Sequence, residues 1–256
     1  MFELEDIAYR LGVRWRSYIC QFPRIYALWI GIRYPSIALG IKRTTDLVLE
    51  GYPRSGNSFA THAFMSAQSC FFLDIAHHSH NPARIIQAVK RSIPTLVLIR
   101  SPKDCVLSYC IYQPNLSFQL GLQQWIRFYT VIKAYKSGYV LATFDEVITD
   151  FGQIIIKIND RFNTDFDIFE HTEENVKRTF SCLDLKAKIF ANVHKNNRLH
   201  NKKIADICPF PVETRAVKKE YLETRIQEDQ VCGKLLRRAQ QLYQWYVREN
   251  QRCRIE

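Results

Sequence analysis

The chain has 256 residues, and its 36 Lys and Arg outnumber its 25 Asp and Glu, giving a formal net charge of +11. Hydrophobic residues make up 47% of the sequence and charged residues 24%, which is typical of a globular protein with a sizeable core. The basic balance favours anionic partners such as nucleotides, nucleic acid or acidic lipid, without selecting one of them. None of the eight cysteines stands in a C-x-x-C pair, which argues against a zinc ribbon or redox motif and favours reduced thiols in the cytoplasm.

The N-terminal region, residues 1–43, is predicted to be helical. Its opening stretch, MFELEDIAYR, is acidic and polar where a secretory signal would be basic, so we expect no signal peptide. The apolar run 25–41 is interrupted by an arginine and a proline and is too short for a membrane-spanning helix. We expect a buried helix here, and the alternative is contact with a membrane surface through Arg24, Trp29, Arg33 and Tyr34.

Residues 44–170 alternate short apolar runs with helical patterns. The predicted strands are 47–51, 95–99 and 139–144, and the predicted helices are 57–69, 101–112, 120–136 and 146–162, with a loop and a short helix within 77–92. This alternation indicates a mainly parallel sheet with helices on both faces, a three-layer α/β/α fold. Residues 171–256 are helical, polar and basic, and no linker precedes them. The chain is therefore predicted to be a single domain, 1–256, with added helices at both ends.

A glycine-containing turn joins the first predicted strand to the helix that follows it. Gly51 and Gly56 have the G-x-x-x-x-G spacing of a phosphate-binding loop, but Asn57 stands at the position of the usual lysine. A cation, Arg54, comes three residues earlier, and Ser58 occupies the usual Ser or Thr position. Backbone N–H groups and the helix dipole favour an anion at such a turn, and an arginine can add two parallel hydrogen bonds. The pattern predicts an anion-binding loop.

A second motif follows the strand at 95–99. Arg100 ends that strand, at the edge where open α/β sheets bind ligands, and Ser108 lies about two turns into the next helix. Ser101 and Pro102 are predicted to begin this helix, with Asp104 as the acid of a capping box. Arg100 and Ser108 are therefore predicted to hold a second anionic group.

The two motifs together resemble those of the sulfotransferases that use 3′-phosphoadenosine 5′-phosphosulfate (PAPS). YPRSGNSF, residues 52–59, resembles their 5′-phosphosulfate loop, Y-P-K/R-S-G-T-T/S-W, with Asn57 in place of Thr and Phe59 in place of the Trp that stacks on adenine. TLVLIRSPKDCVLSY, residues 95–109, resembles their 3′-phosphate motif. The resemblance implies a P-loop-NTPase-like fold. It also implies that PAPS is bound by Arg54, Ser55, Gly56, Asn57, Ser58, Phe59, Arg100 and Ser108.

Weaker similarities lie further along the chain. FDEV, beginning at Phe144, resembles an architectural element of the family, and TFSCLDLK, beginning at Thr179, resembles an element near the adenine. The latter implies that Thr179 and Phe180 contact the cofactor. The late glycine-rich cofactor element of the family has no clear counterpart, and the resemblance offers Arg198 or Lys202 in its place.

The histidines between the two motifs are the candidates for the general base. Sulfuryl transfer to an alcohol needs a group that takes the hydroxyl proton, and histidine suits this role near neutral pH. The family carries its catalytic histidine in K-T-H-x-P, which resembles HSHNP here and implies His80 as the base, since Pro82 keeps the H-x-P spacing. Counting back from Arg100 favours His78 instead. Both remain candidates, with His80 preferred.

The resemblance implies a complete reaction. A sulfuryl group passes in line from PAPS to the hydroxyl or amine of a small molecule, leaving 3′-phosphoadenosine 5′-phosphate (PAP), with Arg54 stabilising the leaving phosphate and no metal taking part. The compact chain is similar to cytoplasmic bacterial or cyanobacterial enzymes that tailor secondary metabolites or toxins, and no nucleic-acid partner is expected. The alternatives are a P-loop nucleotide kinase and a catalytically degenerate module that binds anions or membranes. The sequence predicts no oligomeric state.

Overall fold

The computed structural model describes residues 11–12, 15, 18–33, 41–70, 72–113, 115–193, 219–220 and 229–252. The strands are β1 (Thr45–Gly51), β2 (Asp74–His77), β3 (Thr95–Ile99) and β4 (Val140–Thr143). The helices are α1 (Pro23–Arg33), α2 (Asn57–Ala67), α3 (Pro82–Lys90), α4 (Pro102–Tyr112), α5 (Phe118–Lys133), α6 (Phe144–Thr149), α7 (Phe151–Phe162), α8 (Glu173–Val193) and α9 (Gln230–Arg252). A short 3₁₀ turn, Lys136–Gly138, joins α5 to β4.

The four strands form one parallel sheet in the order β2-β1-β3-β4. The predicted mainly parallel sheet is therefore confirmed, and its three predicted strands lie within one or two residues of β1, β3 and β4. The sequence interpretation missed β2, a four-residue strand at the sheet edge whose side chains are only half-buried. Such a short edge strand carries little hydrophobic pattern.

Successive side chains of the strands point to opposite faces of the sheet and enter two different apolar clusters. Leu47, Leu49, Leu96 and Leu98 pack with α2 and α7 residues on one face. Val97, Ile99 and Leu141 pack with residues of α4, α5 and α9 on the other face. Because both faces are buried, the strands read as continuous apolar runs. The predicted three-layer α/β/α architecture is confirmed.

Two predicted helical features differ from the structure. Ser101 does begin α4, with Pro102 at its first position, but its side chain makes no capping hydrogen bond, so the predicted capping box with Asp104 is wrong. A capping box forms instead at the start of α6, between Thr143 and Glu146. It starts a new helix directly after β4.

The predicted helix 146–162 is two helices. Asp150 ends α6 and begins α7, where its side chain accepts a hydrogen bond from the Gln153 N–H. An aspartate that caps a helix start competes with continuation of the preceding helix, because its side chain bonds to the backbone. The periodic apolar pattern runs through both helices, which is why the sequence suggests one.

The N-terminal region is described in part, and within it α1 is helical as predicted. Two of its apolar side chains, Ile25 and Leu28, are exposed, so the expected full burial of this helix is wrong. Over the described residues, every helix is too short or too polar to cross a bilayer.

Candidate active site

The two predicted anion-binding motifs follow neighbouring strands of the sheet. β1 pairs with β3, and Gly51 at the end of β1 lies opposite Leu98. The chain leaves β1 towards β2 on one side and returns to β3 on the other side. The space beyond β1 and β3 is therefore a topological switch point, where open parallel sheets bind ligands.

The loop after β1 is a tight turn into α2. Arg54 and Gly56 both adopt left-handed backbone conformations, with φ of 70° and 95°, and the Ser55 N–H donates to the Tyr52 carbonyl at 3.2 Å. Left-handed φ is ordinary for glycine and uncommon for arginine. The turn is thus held in one shape by its surroundings.

The start of α2 exposes backbone donors to the end of the sheet. The helical ladder begins with the Ala60 N–H donating to the Gly56 carbonyl at 3.0 Å, so the N–H groups of Asn57, Ser58 and Phe59 precede it. Gly56 stands at the N-cap and has no side chain to satisfy them. An uncapped N-terminus with converging N–H groups attracts an anion.

Buried side chains support the loop from below. Ser55 is fully buried, and its Oγ lies 3.4 Å from both Cys105 Sγ and the Tyr129 hydroxyl. The Tyr129 hydroxyl donates to the Leu98 carbonyl at 2.7 Å, and the Cys105 thiol donates to the Pro53 carbonyl at 3.1 Å. Burial raises the pKa of Cys105 to about 11, which keeps this thiol protonated as a donor. The sequence interpretation did not identify Cys105 or Tyr129.

Asn57 also faces the protein interior. Its side chain is buried and its Nδ2 donates to the Tyr52 carbonyl at 3.1 Å. Gly51 lies against it: a Cβ at Gly51 would stand 2.9 Å from Asn57 Oδ1 and 2.7 Å from the Leu98 carbonyl oxygen. The residue at the usual lysine position is therefore part of the packing of the loop.

Two side chains of the second motif, those of Arg100 and Ser108, contact Arg54 of the loop. Arg54 Nε donates to Ser108 Oγ at 3.1 Å, and Arg100 Nη1 donates to the Arg54 carbonyl at 3.3 Å. The Arg100 guanidinium lies 4.0 Å from the centroid of the Phe144 ring, a cation–π contact that orients it. The structure thus joins the two motifs that the sequence predicts separately.

The two candidate histidines border the same loop, and both have left-handed backbone conformations. His78 Nε2 lies 3.1 Å from Ser58 Oγ, and His78 Nδ1 contacts His77 Nδ1. His80 Nδ1 lies 2.8 Å from the Gly51 carbonyl oxygen. Because a carbonyl only accepts, Nδ1 of His80 is the donor in this bond, and in the neutral ring the lone pair then lies on Nε2. Among the described residues, no side chain or backbone group hydrogen-bonds that Nε2.

The surrounding histidines are held neutral. Burial, followed by the neighbouring imidazoles, lowers the pKa of His78 to about 3. Burial and then Lys186, whose Nζ lies 3.3 Å from His62 Nε2, lower the pKa of His62 to about 4. Arg54 and Arg100 therefore supply positive charge at the loop without the help of His62 or His78.

The predicted adenine contacts lie on two helices: Phe59 belongs to α2, and Thr179 and Phe180 belong to α8. Phe59 is 7% exposed and Phe180 46% exposed, and their ring centroids are 5.3 Å apart. The ring face open to a ligand therefore belongs to Phe180. Thr179 is buried and its hydroxyl donates to the Asn175 carbonyl at 2.8 Å. Arg198 and Lys202 lie outside the described residues.

Within the part of the chain that the structure describes, no three His, Cys, Asp or Glu side chains are grouped so that they could hold a metal ion. The donors assembled at the switch point are N–H, guanidinium, hydroxyl and imidazole groups. This set suits an anion of two separated parts, with one part at the start of α2 and the other at Arg100 and Ser108.

Neither a family model nor a curated protein sequence matches the chain. Among solved structures, the chain is similar to the mouse sulfotransferase SULT7A1, whose structure is described as complexed with PAP. The match has 14% sequence identity, covers 78% of this chain and 90% of the mouse chain, and has a TM-score of 0.44.

Proposed function

We propose that the protein is a PAPS-dependent sulfotransferase. The observation that carries this proposal is the junction of the two motifs, in which Arg54 bonds Ser108 at 3.1 Å and Arg100 bonds the Arg54 backbone at 3.3 Å. One anion-binding helix start and one arginine–serine pair, which follow two neighbouring strands, match a nucleotide with phosphate groups on both the 3′ and 5′ positions of its ribose. PAPS has this arrangement, and ATP does not.

The described residues fit such a nucleotide. The N–H groups at the start of α2 and the Arg54 guanidinium would hold the 5′-phosphosulfate, and Arg100 with Ser108 would hold the 3′-phosphate. Phe180 offers an exposed ring face to the adenine beside the buried Phe59. Asn57 argues against the kinase alternative. Its side-chain amide donates to the Tyr52 carbonyl inside the loop, and it has no positive charge with which to bind a triphosphate.

His80 is the general base in this proposal. PAPS supplies an activated sulfuryl group. Nε2 of His80 takes the proton of the acceptor hydroxyl or amine, while the acceptor atom forms a bond to sulfur and the bond from sulfur to the phosphate oxygen breaks. Arg54 stabilises the negative charge left on that phosphate. His78, with both ring nitrogens in contact with Ser58 or His77, has less freedom to take this proton.

The acceptor in this proposal is a small molecule with a free hydroxyl or amine. The setting proposed from the sequence is a cytoplasmic enzyme, of bacterial or cyanobacterial type, that modifies secondary metabolites or toxins. The reaction needs no metal in this scheme, because arginines and backbone donors carry the charge stabilisation.

The test is a comparison of nucleotides followed by an activity screen. Calorimetry with PAP, ADP and ATP–Mg²⁺ is expected to show that PAP binds most tightly. Release of PAP from PAPS is then followed with a panel of phenols, aliphatic alcohols and amines. Tight binding of ATP–Mg²⁺ with weak binding of PAP would favour the kinase, and PAP binding without turnover on any acceptor would favour the degenerate binding module.

A further inference from the structure

A buried carboxylate lies next to the proposed base. Glu50 is the penultimate residue of β1 and is 0% exposed. A charge in such a position is costly unless hydrogen bonds or an opposite charge compensate it. Glu50 has both, because Arg84 forms a salt bridge with it at 3.2 Å and three further donors come from one loop.

Those three donors belong to Ser79 and His80. Oε1 of Glu50 accepts from the Ser79 N–H at 2.9 Å and from the Ser79 hydroxyl at 2.6 Å, and Oε2 accepts from the His80 N–H at 2.9 Å. Arg84 extends the same clamp, since its Nη1 also donates to the His77 carbonyl at 3.0 Å. The clamp therefore holds the backbone of the segment from His77 to His80.

The clamped backbone is one that the chain does not adopt readily. His78 and His80 have φ of 58° and 50°, in the left-handed region that non-glycine residues seldom occupy. In this conformation, the His80 ring turns back towards β1 and Nδ1 donates to the Gly51 carbonyl at 2.8 Å. Two adjacent residues of β1 thus bond the same histidine. Glu50 accepts from the backbone N–H of His80, and Gly51 accepts from its ring.

We propose that Glu50 is a positioning residue for His80. Its carboxylate fixes the left-handed backbone of His80, and the fixed backbone brings Nδ1 to the Gly51 carbonyl. In the neutral ring this bond selects the tautomer with the proton on Nδ1, which leaves the lone pair of Nε2 able to accept a proton. The inference rests on the proposed function for its catalytic meaning. The positioning itself is a property of the protein without any ligand.

The experiment measures the tautomer of His80 in the full chain without nucleotide. Ring ¹⁵N chemical shifts, assigned by their loss in His80→Gln, are expected to show a protonated Nδ1 and an unprotonated Nε2 in the wild type. Glu50→Gln keeps the side-chain shape but replaces one accepting oxygen by a donor, so one loop N–H loses its partner. We expect the Glu50→Gln ring to shift towards the Nε2–H tautomer.

The same variants are then compared in turnover of PAPS and in binding of PAP. General-base catalysis contributes about 10²- to 10⁴-fold, so a misplaced base in Glu50→Gln is expected to lower kcat roughly 10- to 100-fold. The dissociation constant of PAP is expected to stay within about twofold, since Glu50 lies outside the proposed nucleotide contacts. A loss of kcat with unchanged PAP binding separates positioning from general destabilisation.

Asp167→Asn is the matched control. Asp167 Oδ2 accepts from the Ser69 N–H at 2.7 Å and the Ser69 hydroxyl at 2.6 Å, the same pair of donors that Glu50 takes from Ser79. It lies beyond the far end of α2, about 16 Å along the helix from the loop. The control is expected to leave both the His80 tautomer and kcat unchanged.

The outcomes are distinct. A folded Glu50→Gln variant with the wild-type His80 tautomer would overturn the positioning role. If that variant does not fold, Ser79→Ala replaces it: this change removes the 2.6 Å bond alone, and a partial tautomer shift supports the inference while none overturns it. If the wild type turns over no PAPS, the proposed function fails, and the tautomer measurement still decides whether Glu50 positions His80.

Discussion

Arg100 offers the sharpest test of the proposed nucleotide site. It follows β3 directly, is half-buried, donates to the Arg54 carbonyl at 3.3 Å and stacks on Phe144 at 4.0 Å. These contacts hold the guanidinium beside the backbone of Arg54, whose own side chain donates to Ser108. Arg100→Ala removes the cation assigned to the 3′-phosphate and leaves the backbone donors of α2 in place.

The magnitude follows from hydrogen bonds to a charged group. Each contributes about 1.5–3 kcal/mol, and partial exposure of Arg100 places the expected loss near the lower end, at about 2 kcal/mol. This corresponds to a roughly 30-fold weaker binding of PAP. Adenosine 5′-monophosphate lacks the 3′-phosphate, so its affinity is expected to change by less than about threefold.

The assay is titration calorimetry of both nucleotides against wild type, Arg100→Ala and Arg100→Lys. Lysine keeps the charge but lacks the planar fork, so an intermediate loss for PAP is expected. Arg91→Ala is the control, because Arg91 also donates to a backbone carbonyl, that of Ile41 at 2.8 Å, and lies beyond the end of α3. Equal losses for the two nucleotides in Arg100→Ala would refute the 3′-phosphate assignment.

Three further predictions concern the loop and its histidines. His80→Ala is expected to abolish turnover while PAP still binds; if His78→Ala does so and His80→Ala does not, the choice of base is wrong. Gly51→Ala is expected to lower the free energy of unfolding in urea by about 1–3 kcal/mol, because its Cβ would lie 2.7 Å from the Leu98 oxygen, and unchanged stability would contradict this close packing. Stability is expected to fall as the pH drops below 6.5, since the unfolded chain binds protons that His62 and His78, with pKa values of about 4 and 3, do not take up when folded. Partial exposure limits this effect to on the order of 1 kcal/mol between pH 7 and 5, and a urea titration showing no fall would contradict it.

The sequence predicts the fold where burial is complete. Residues 47–51 and 95–99 are apolar because the sheet is covered on both faces, and a helical pattern follows each of them. β2 was not predicted, because a half-buried edge strand of four residues has no distinctive hydrophobic pattern. The break between α6 and α7 was not predicted, because Asp150 caps α7 without interrupting the helical spacing of the apolar residues.

The candidate site was predictable to the extent that parallel strands end at one edge of the sheet. Arg54 and Arg100 follow strands that proved to be neighbours, and this adjacency brings them together. The support below the loop was not predictable, because Ser55 meets Tyr129 across 74 positions of sequence. One signal was available: Glu50 lies within an apolar strand, and a carboxylate there requires partners.

The distribution of charge explains how one loop could bind the proposed anion and also present the proposed base. Glu50 directs its carboxylate towards Arg84 and the backbone of Ser79 and His80, and so away from the proposed nucleotide contacts. The start of α2 and two guanidinium groups therefore act on an anion without a competing carboxylate from this strand. Because arginine keeps its charge at any pH that proteins tolerate, anion binding does not depend on protonated histidine. His80 is therefore not needed as a cation at the proposed anion site.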